Sequence, residues 1–501
     1  MKVSKKHIKY DFERFKETAQ KAFLNNDIKT CLNLIELSSQ IAYHLNFCYH
    51  DSDLEDLLSK ISKRINNCVA GNTKENRFVF YDYFGWDNKG LTQQYVNALI
   101  SWNYEFMFVF ENTPKENSSK HLLKELENYD KATILYVDNK LSTIEKIQFI
   151  SNKINEYQPQ KAFLHLAPWS VTGVCVWNIL QHIERYLINL TDHAFWLGTE
   201  CIDYCIEFRD YGYNISKKLR NIPEQKLLIQ PYYPVINNVD FQGFPVETEN
   251  KIVIVSAGVY YKVFSEDDKF FIMLSKITSQ FPEVIIFFAG DGDRKLFKLL
   301  LAKYKIEDKV ILLGNRSDIA QVISNSDIYL GTYPFGGGLL TQYAAILGVP
   351  VIAYNEIGND FNRLEDLLLI KNIKLCYYSI SDLLDELEKL INNKDYRKKQ
   401  SDKIKTGIIQ PDEFNKSLKS LITSNTNINK VEDIPINVDD IHNLYLSSEN
   451  KYLKQYFPMI YNGMAVCKKY NLKFFIRNMF FCFIDNPKMF VIKILKHILK
   501  P

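Results

Sequence analysis

Residues 332–354 read TYPFGGGLLTQYAAILGVPVIAY, with three consecutive glycines between an aromatic-proline turn and an apolar run. The chain holds only 19 glycines in 501 residues, so this cluster calls for a reason. Just upstream, DIYLG reads as a short strand. Downstream, LTQYAAILG reads as a helix that stops at Gly348, with Pro350 beyond it. The glycines therefore fill a turn from a strand's carboxyl end into a helix N-terminus, the edge where open α/β sheets bind ligands. A first helical turn offers unpaired N–H groups and partial positive charge, which suit phosphate. Glycine lets such a ligand reach the backbone. A tight turn at positive φ would need one glycine or two. Three of them followed by Thr341 favour a phosphate contact made by Gly336, Gly337, Gly338, Leu339 and Leu340, with the Thr341 hydroxyl as a further donor. The stretch is neither a Walker A loop nor G-x-G-x-x-G, so readings as a nucleotide triphosphatase or an NAD enzyme gain no motif support.

Working outward, KIVIVSAG, EVIIFFAGDGD, KVILLG, VPVIAY and IKLCYY are short apolar runs separated by helical stretches such as DRKLFKLLLAKYK. An earlier series repeats the rhythm: RFVFYDYF, EFMFVFEN, ATILYVD, AFLHLAP and HAFWLG alternate with LTQQYVNALISW and TIEKIQFISNKINEY. Strands alternating with helices mean βαβ units and parallel sheets. The expected fold class is α/β, with two tandem Rossmann-like domains and helical extensions at both ends. PEQKLLIQPYYPVINNVDFQGFPVETEN, rich in proline and polar spacers, reads as a linker between the halves. The boundaries expected are a helical segment over 1–70, a first Rossmann-like domain over 71–240, a second over 241–408 and a helical extension over 409–501.

Composition narrows the function. A net charge of +3 makes no global case for nucleic acid. The basic start lacks an apolar stretch behind it, so no signal peptide is expected, and no window of 18 uninterrupted apolar residues is present. Nine scattered cysteines, with Cys201 and Cys205 as a lone CxxxC, read as free thiols of a reducing cytosol rather than as a metal site. Asp291-Gly-Asp293 reads as a turn and helix N-cap near the nucleotide rather than as a metal ligand pair. No metal and no cofactor are expected.

Two tandem Rossmann-like halves, with Pro334-Phe335-Gly336, a glycine/threonine turn and a G-x-P-V-I strand entry in the second, resemble glycosyltransferases of GT-B architecture. The nearest pattern is that of the O-linked N-acetylglucosamine transferases and their bacterial cytosolic relatives. There a Pro-Phe-Gly leads into an Asn/Thr run that binds the diphosphate of a UDP-sugar. Here Gly337 to Leu340 replace the polar middle, Thr341 matches one threonine, and Tyr343 stands where that family has Asp. The retaining GT-B relatives carry two glutamates whose places are taken here by Phe335 and Tyr343. By the same resemblance Lys262 lies at the diphosphate, and Asn315 and Arg316, in GNRSDIAQVI, at the base of the nucleotide.

The resemblance puts the acceptor on the first half. An inverting transfer needs a general base there, and a leaving diphosphate held by amides and cations needs no metal. The candidates, in order, are His193 and Asp192 in NLTDHAFWLGTE, taken to precede a strand, and then His165 within AFLHLAPWS. Each also reads as a structural residue, a lone histidine at a strand end being more often a satisfied core or rim residue. Asp82, Asp87 and Gly90 lie in an acceptor-side turn. The expected activity is transfer of a hexosyl or N-acetylhexosaminyl group from a nucleotide-diphosphate sugar, UDP-linked first, to a glycan, lipid-linked or protein acceptor in bacterial surface glycan synthesis. A UDP-sugar 2-epimerase or a non-catalytic GT-B-like scaffold are the alternatives. The end of the chain, with Val491, Ile492, Leu495, Ile498 and Leu499 on one helical face and Lys493, Lys496, His497 and Lys500 largely elsewhere, reads as a basic amphipathic helix. It would rest on the inner face of the plasma membrane or dock on the fold.

Overall fold

The computed structural model describes residues 5–69, 71–87, 91–112, 118–236, 239–370, 372–427, 431–447 and 467–485, with 487 and 491. The chain divides into two compact units. The first comprises Met1–Ile206, Ile215–Leu228 and Asn450–Pro501, and the second Glu207–Asn214 and Ile229–Glu449. The C-terminal extension expected as one segment is thus split. The helix Pro411–Ser424 falls in the second unit and the helix Leu472–Asp485 in the first. The residues of the basic amphipathic helix expected at the end of the chain lie, apart from Val491, outside the described residues.

Each unit is built on one sheet. The first contains β1 (Lys74–Asp82), β2 (Glu105–Phe110), β3 (Ala132–Tyr136), β4 (Pro159–His165), β5 (Glu184–Ile188), β6 (Tyr204–Glu207) and β7 (Leu227–Ile229), in the order β3-β2-β1-β4-β5-β6-β7. The second contains β8 (Ile252–Ala257), β9 (Val284–Ala289), β10 (Val310–Gly314), β11 (Ile328–Leu330), β12 (Val351–Tyr354) and β13 (Cys376–Tyr377), in the order β10-β9-β8-β11-β12-β13. Counted within each unit, both begin 3-2-1-4-5-6, the doubly wound order, and their central pairs are parallel. Inner strands such as β9, VIIFFA, are buried along their whole length because helices cover both faces, whereas the edge strands β3 and β10 are only partly buried. The strand order reverses between β1 and β4 in the first unit and between β8 and β11 in the second. Those are the two crevices where ligands bind such sheets.

Local signals set the helices. Ser142 and Glu145 form a reciprocal capping box at the start of Thr143–Tyr157. Asp293 caps Arg294–Lys303 by accepting from Leu296 N at 3.0 Å, and Asp291 accepts from Gly292 N at 2.7 Å. The Asp-Gly-Asp run is therefore a turn and cap. Among the described residues no group of three or more His, Cys, Asp or Glu side chains is placed to hold a metal.

The sequence reading and the structure part at the aromatic run after Asp192. Residues 189–203 contain no strand. The guanidinium of buried Arg220 instead donates to the carbonyl oxygens of Thr191, Asp192 and Ala194, at 3.0, 3.1 and 2.6 Å. With those acceptors satisfied, Phe195, Trp196 and Leu197 stay buried without a sheet partner. The expected linker likewise contributes a strand, β7, because its Leu-Leu-Ile run joins the edge of the first sheet.

Candidate functional site

In the second unit the glycine turn lies at the switch point. β11 ends at Leu330, Gly337 is the N-cap, and the helix Gly338–Leu347 begins with no side chain capping it. Its first N–H groups are thus left to a ligand or to water. None of the three glycines sits at positive φ, so the turn's conformation does not account for them. Close approach accounts for Gly336, where a Cβ would lie 2.1 Å from Asn362 Oδ1 and 3.1 Å from Leu364 Cδ2. At Gly337 and at Gly338 the nearest atom would be 3.5 Å away, ordinary contact. The fold has room for side chains at those two positions, and the absence of a Cβ keeps the helix start open.

Two further groups converge on this turn. Lys262, in the loop after β8, donates from Nζ to Gly336 O at 3.0 Å, and its own carbonyl accepts from Phe335 N at 3.2 Å. The expected lysine and the glycine turn are thus brought together. Thr341 is fully buried, with its N–H bonded to Gly337 O, and its Oγ1 has no hydrogen-bond partner in the protein. A buried hydroxyl left unpaired is costly, which marks it as a donor awaiting an acceptor. Phe335 packs against Tyr261 and Phe361, each at 5.9 Å between ring centroids, and Tyr343 donates its hydroxyl to Val235 O at 2.8 Å. The two places that hold glutamates in the retaining pattern are therefore occupied by packing aromatics. Asn315 is exposed. Arg316 grips Asp318 through Nε and Nη2, at 2.6 and 2.5 Å, and Gly243 O through Nη1 at 3.0 Å, holding the segment around Gln242 to its own loop.

In the first unit His193 follows β5 in the loop braced by Arg220. Its Nδ1 lies 3.2 Å from Asp192 Oδ1; His193 is 31% exposed and Asp192 2%. The loop that replaces the expected strand is what lets two neighbouring side chains meet. The N-terminal helices shape it further. Asn46, ending Ile28–Leu45, donates to His193 O at 2.8 Å, and Glu55, in Ser52–Ile65, accepts from Gly198 N at 2.7 Å and Thr199 N at 3.3 Å.

His165 ends β4 directly opposite Asp82, which ends β1. Its Nδ1 lies 2.9 Å from Asp82 Oδ1 and 3.1 Å from Thr92 Oγ1, and the ring is fully buried against Phe84. Asp82 also accepts from the N–H groups of Phe84 and Gly85, each at 3.1 Å. This dyad shapes the turn after β1. Asp87 is likewise engaged, accepting from His121 N and Leu122 N at 2.9 and 2.8 Å at the start of Lys120–Glu127. Gly90 lies outside the described residues.

The carboxyl edge of the same sheet also holds a cavity of about 190 Å³, lined by Glu36, Tyr83, Glu111, Lys146, Ser170 and Thr172 among others. Burial pushes the Glu111 carboxyl up to about 7, although hydrogen bonds from Tyr81 (2.8 Å) and Ser170 (2.9 Å) and the charge of Lys146 oppose the shift. Burial raises Glu36 as well. Glu36 comes from the N-terminal helix Ile28–Leu45, Tyr83, Glu111 and Ser170 from the loops after β1, β2 and β4, and Lys146 and Thr172 from the helices Thr143–Tyr157 and Val171–Ile179. The sequence offered no spacing that joins them.

Two Rossmann units in tandem, the second with an open, glycine-built helix start at its switch point, define the GT-B architecture. Residues 236–407 match the model of the glycosyl transferases group 1 family, and the chain is a glycosyltransferase. No curated protein matches it in sequence. Among solved structures, an O-GlcNAc transferase of Thermobaculum terrenum shares the fold with a TM-score of 0.50 and 11% identity, over 84% of this chain and 81% of that one. HepE of Anabaena, solved with UDP and glucose, gives 0.50 and 12% over 69% and 99%. TarM gives 0.52 and 10% over 70% and 99%.

Proposed function

We propose that this glycosyltransferase moves a hexosyl or N-acetylhexosaminyl group from a UDP-linked donor to a hydroxyl of a glycan, lipid-linked or protein acceptor. The donor diphosphate would sit on the N–H groups of Gly338, Leu339 and Leu340, with the Thr341 hydroxyl and the Lys262 ammonium beside it. The observation carrying this reading is that Gly337 and Gly338 are glycine where the fold has room for a side chain, next to a buried hydroxyl with nothing to bond. HepE, of the same fold, is seen with UDP, which supports uridine as the base.

In the inverting form of the reaction the acceptor O–H attacks the anomeric carbon. The bond from that carbon to the diphosphate breaks, and the proton passes to a base. His193 has the form for it. Its Nδ1 lies 3.2 Å from Asp192 Oδ1, and an Nδ1–H donated there would leave the Nε2 lone pair to accept the proton. The acceptor sugar would occupy the cavity beside Glu36 and Glu111, whose carboxyl groups accept hydrogen bonds from hydroxyls. Amides and a lysine hold the departing charge, so transfer should survive chelation of divalent ions.

A thermal-shift and calorimetric screen against UDP, GDP, CMP and their sugars tests the donor. At a hundredfold its dissociation constant a ligand adds about 2.7 kcal/mol of stability. Binding of UDP-sugars, with a transferred rather than epimerised product that persists in EDTA, is the expected result. Failure of every nucleoside diphosphate to bind would overturn the reading.

A further inference from the structure

The helix Leu472–Asp485 packs one face on the first helix, Lys5–Leu24. Phe474 meets Phe15 edge-on at 5.0 Å, Arg477 Nη1 donates to Asp11 at 2.6 Å, and Asn478 is buried. On its other side Leu472, Ile476 and Phe480 are 58%, 57% and 66% exposed. Their spacing of four residues sets them in one line along the helix. Large apolar side chains aligned in water mark a contact surface.

Charge identifies what the line contacts. Residues 467–501 hold eight lysines and arginines against one acid, Asp485, a net +7 in a chain whose total is +3. The rest of the protein is therefore mildly acidic, and the cationic charge is concentrated in the stretch of sequence that carries the apolar line; of its described members Lys469 and Arg477 pair with Asp27 and Asp11, while Lys468 and Lys473 are exposed. An apolar helical face in a cationic segment is the pattern of a helix lying in an anionic lipid interface. A second copy of the same +7 segment would be repelled. Spanning is not the mode, because no helix among the described residues is long and apolar enough to cross a membrane.

We propose that Leu472–Asp485 docks the protein on anionic lipid, with Leu472, Ile476 and Phe480 entering the headgroup–acyl boundary and the exposed Lys468 and Lys473 meeting lipid phosphates. This goes beyond the transfer reaction, and its test does not need the donor or the acceptor.

The experiment is sedimentation of the full chain with vesicles of pure phosphatidylcholine or of phosphatidylcholine with phosphatidylglycerol. The wild type should pellet with the anionic vesicles at least about tenfold more than with the neutral ones, and release as salt shortens the Debye length. The double variant Ile476→Glu, Phe480→Glu changes only exposed positions, so its melting temperature should be unchanged while anionic-vesicle binding falls about tenfold or more. Lys473→Glu should lower it less. Equal pelleting of wild type and double variant would overturn the proposal. So would indifference to lipid charge, or a concentration-dependent dimer that the double variant abolishes.

Discussion

The two sheets share one strand order, yet their switch points are furnished differently. In the second unit the crevice beside β8 and β11 is lined by backbone, one lysine and one unpaired hydroxyl, and two glycines keep it open. In the first unit the equivalent edge beside β1 and β4 is lined with side chains. Asp82 and His165 lock together across the strands, and Glu111 takes hydrogen bonds from Tyr81 and Ser170. Strand order thus fixes where a ligand can sit and leaves open what it is. Amides at a helix start suit a diphosphate whatever sugar it carries. Interlocked side chains suit a partner that must be told from others.

The largest expected effect tests the side-chain half of this contrast. His193→Ala should lower turnover by roughly 10² to 10⁴, the range for loss of a general base, while donor affinity stays within a few-fold. Single-turnover transfer beside direct donor titration reads both. Lost donor binding would recast His193 as a wall of the site. Near-normal transfer would move the base to Asp192.

The next concerns the titrating carboxyl of the first unit. Glu111 is raised from 4.5 to about 7, so between those values an unfolded chain gives up a proton that the folded chain keeps. Stability therefore falls as pH rises through that window, and below it the group contributes no difference. Glu55, also raised to about 7 by burial, adds to the decline. Glu111→Gln cannot ionise and should flatten the fall in melting temperature, recovering on the order of 3 kcal/mol once the wild-type group is fully charged. A decline just as steep in the variant would show that Glu111 is not buried as described.

The glycines invite a test in which neighbours give opposite results. Gly337→Val should weaken UDP-sugar binding tenfold or more, since each hydrogen bond to a charged phosphate is worth about 1.5–3 kcal/mol. It should leave the melting temperature nearly unchanged. Gly336→Ala meets Asn362 and Leu364 and should instead cost about 1–3 kcal/mol of stability through overpacking. If both variants only lost stability, the turn would be a packing device and the backbone site would fall.

Much of this was legible in the sequence, for reasons that differ along the chain. Strand–helix alternation gave both Rossmann units, because strands buried on both faces read as unbroken apolar runs. The glycine turn is visible in the sequence because three glycines between a strand and a helix leave a local signature, whereas Lys262, which the structure brings to Gly336 O, is pointed to by the resemblance alone. The run around His193 reads as a strand and folds as a loop, since nothing near it in sequence announces Arg220, whose guanidinium replaces the missing ladder. The cavity of Glu36, Glu111 and Lys146 could not be read at all. Its parts lie on separate elements, and only packing brings them together.

The smallest expected effect bears on the one side-chain hydroxyl within the backbone site. Thr341 is buried in the first turns of Gly338–Leu347, and its Oγ1 meets no acceptor in the protein. Thr341→Val keeps the branched shape and removes the hydroxyl, so it relieves an unpaired polar atom in the unliganded protein. Stability should therefore hold or rise slightly. If the hydroxyl donates to the donor's phosphate, the variant should lose on the order of 1 kcal/mol of UDP-sugar affinity, about fivefold, with turnover of bound donor little changed. Measured against Gly337→Val, this separates what one side chain adds from what the open backbone supplies. A fall in stability with unaltered affinity would place the Thr341 hydroxyl in the core and leave the phosphate to the amides and Lys262 alone.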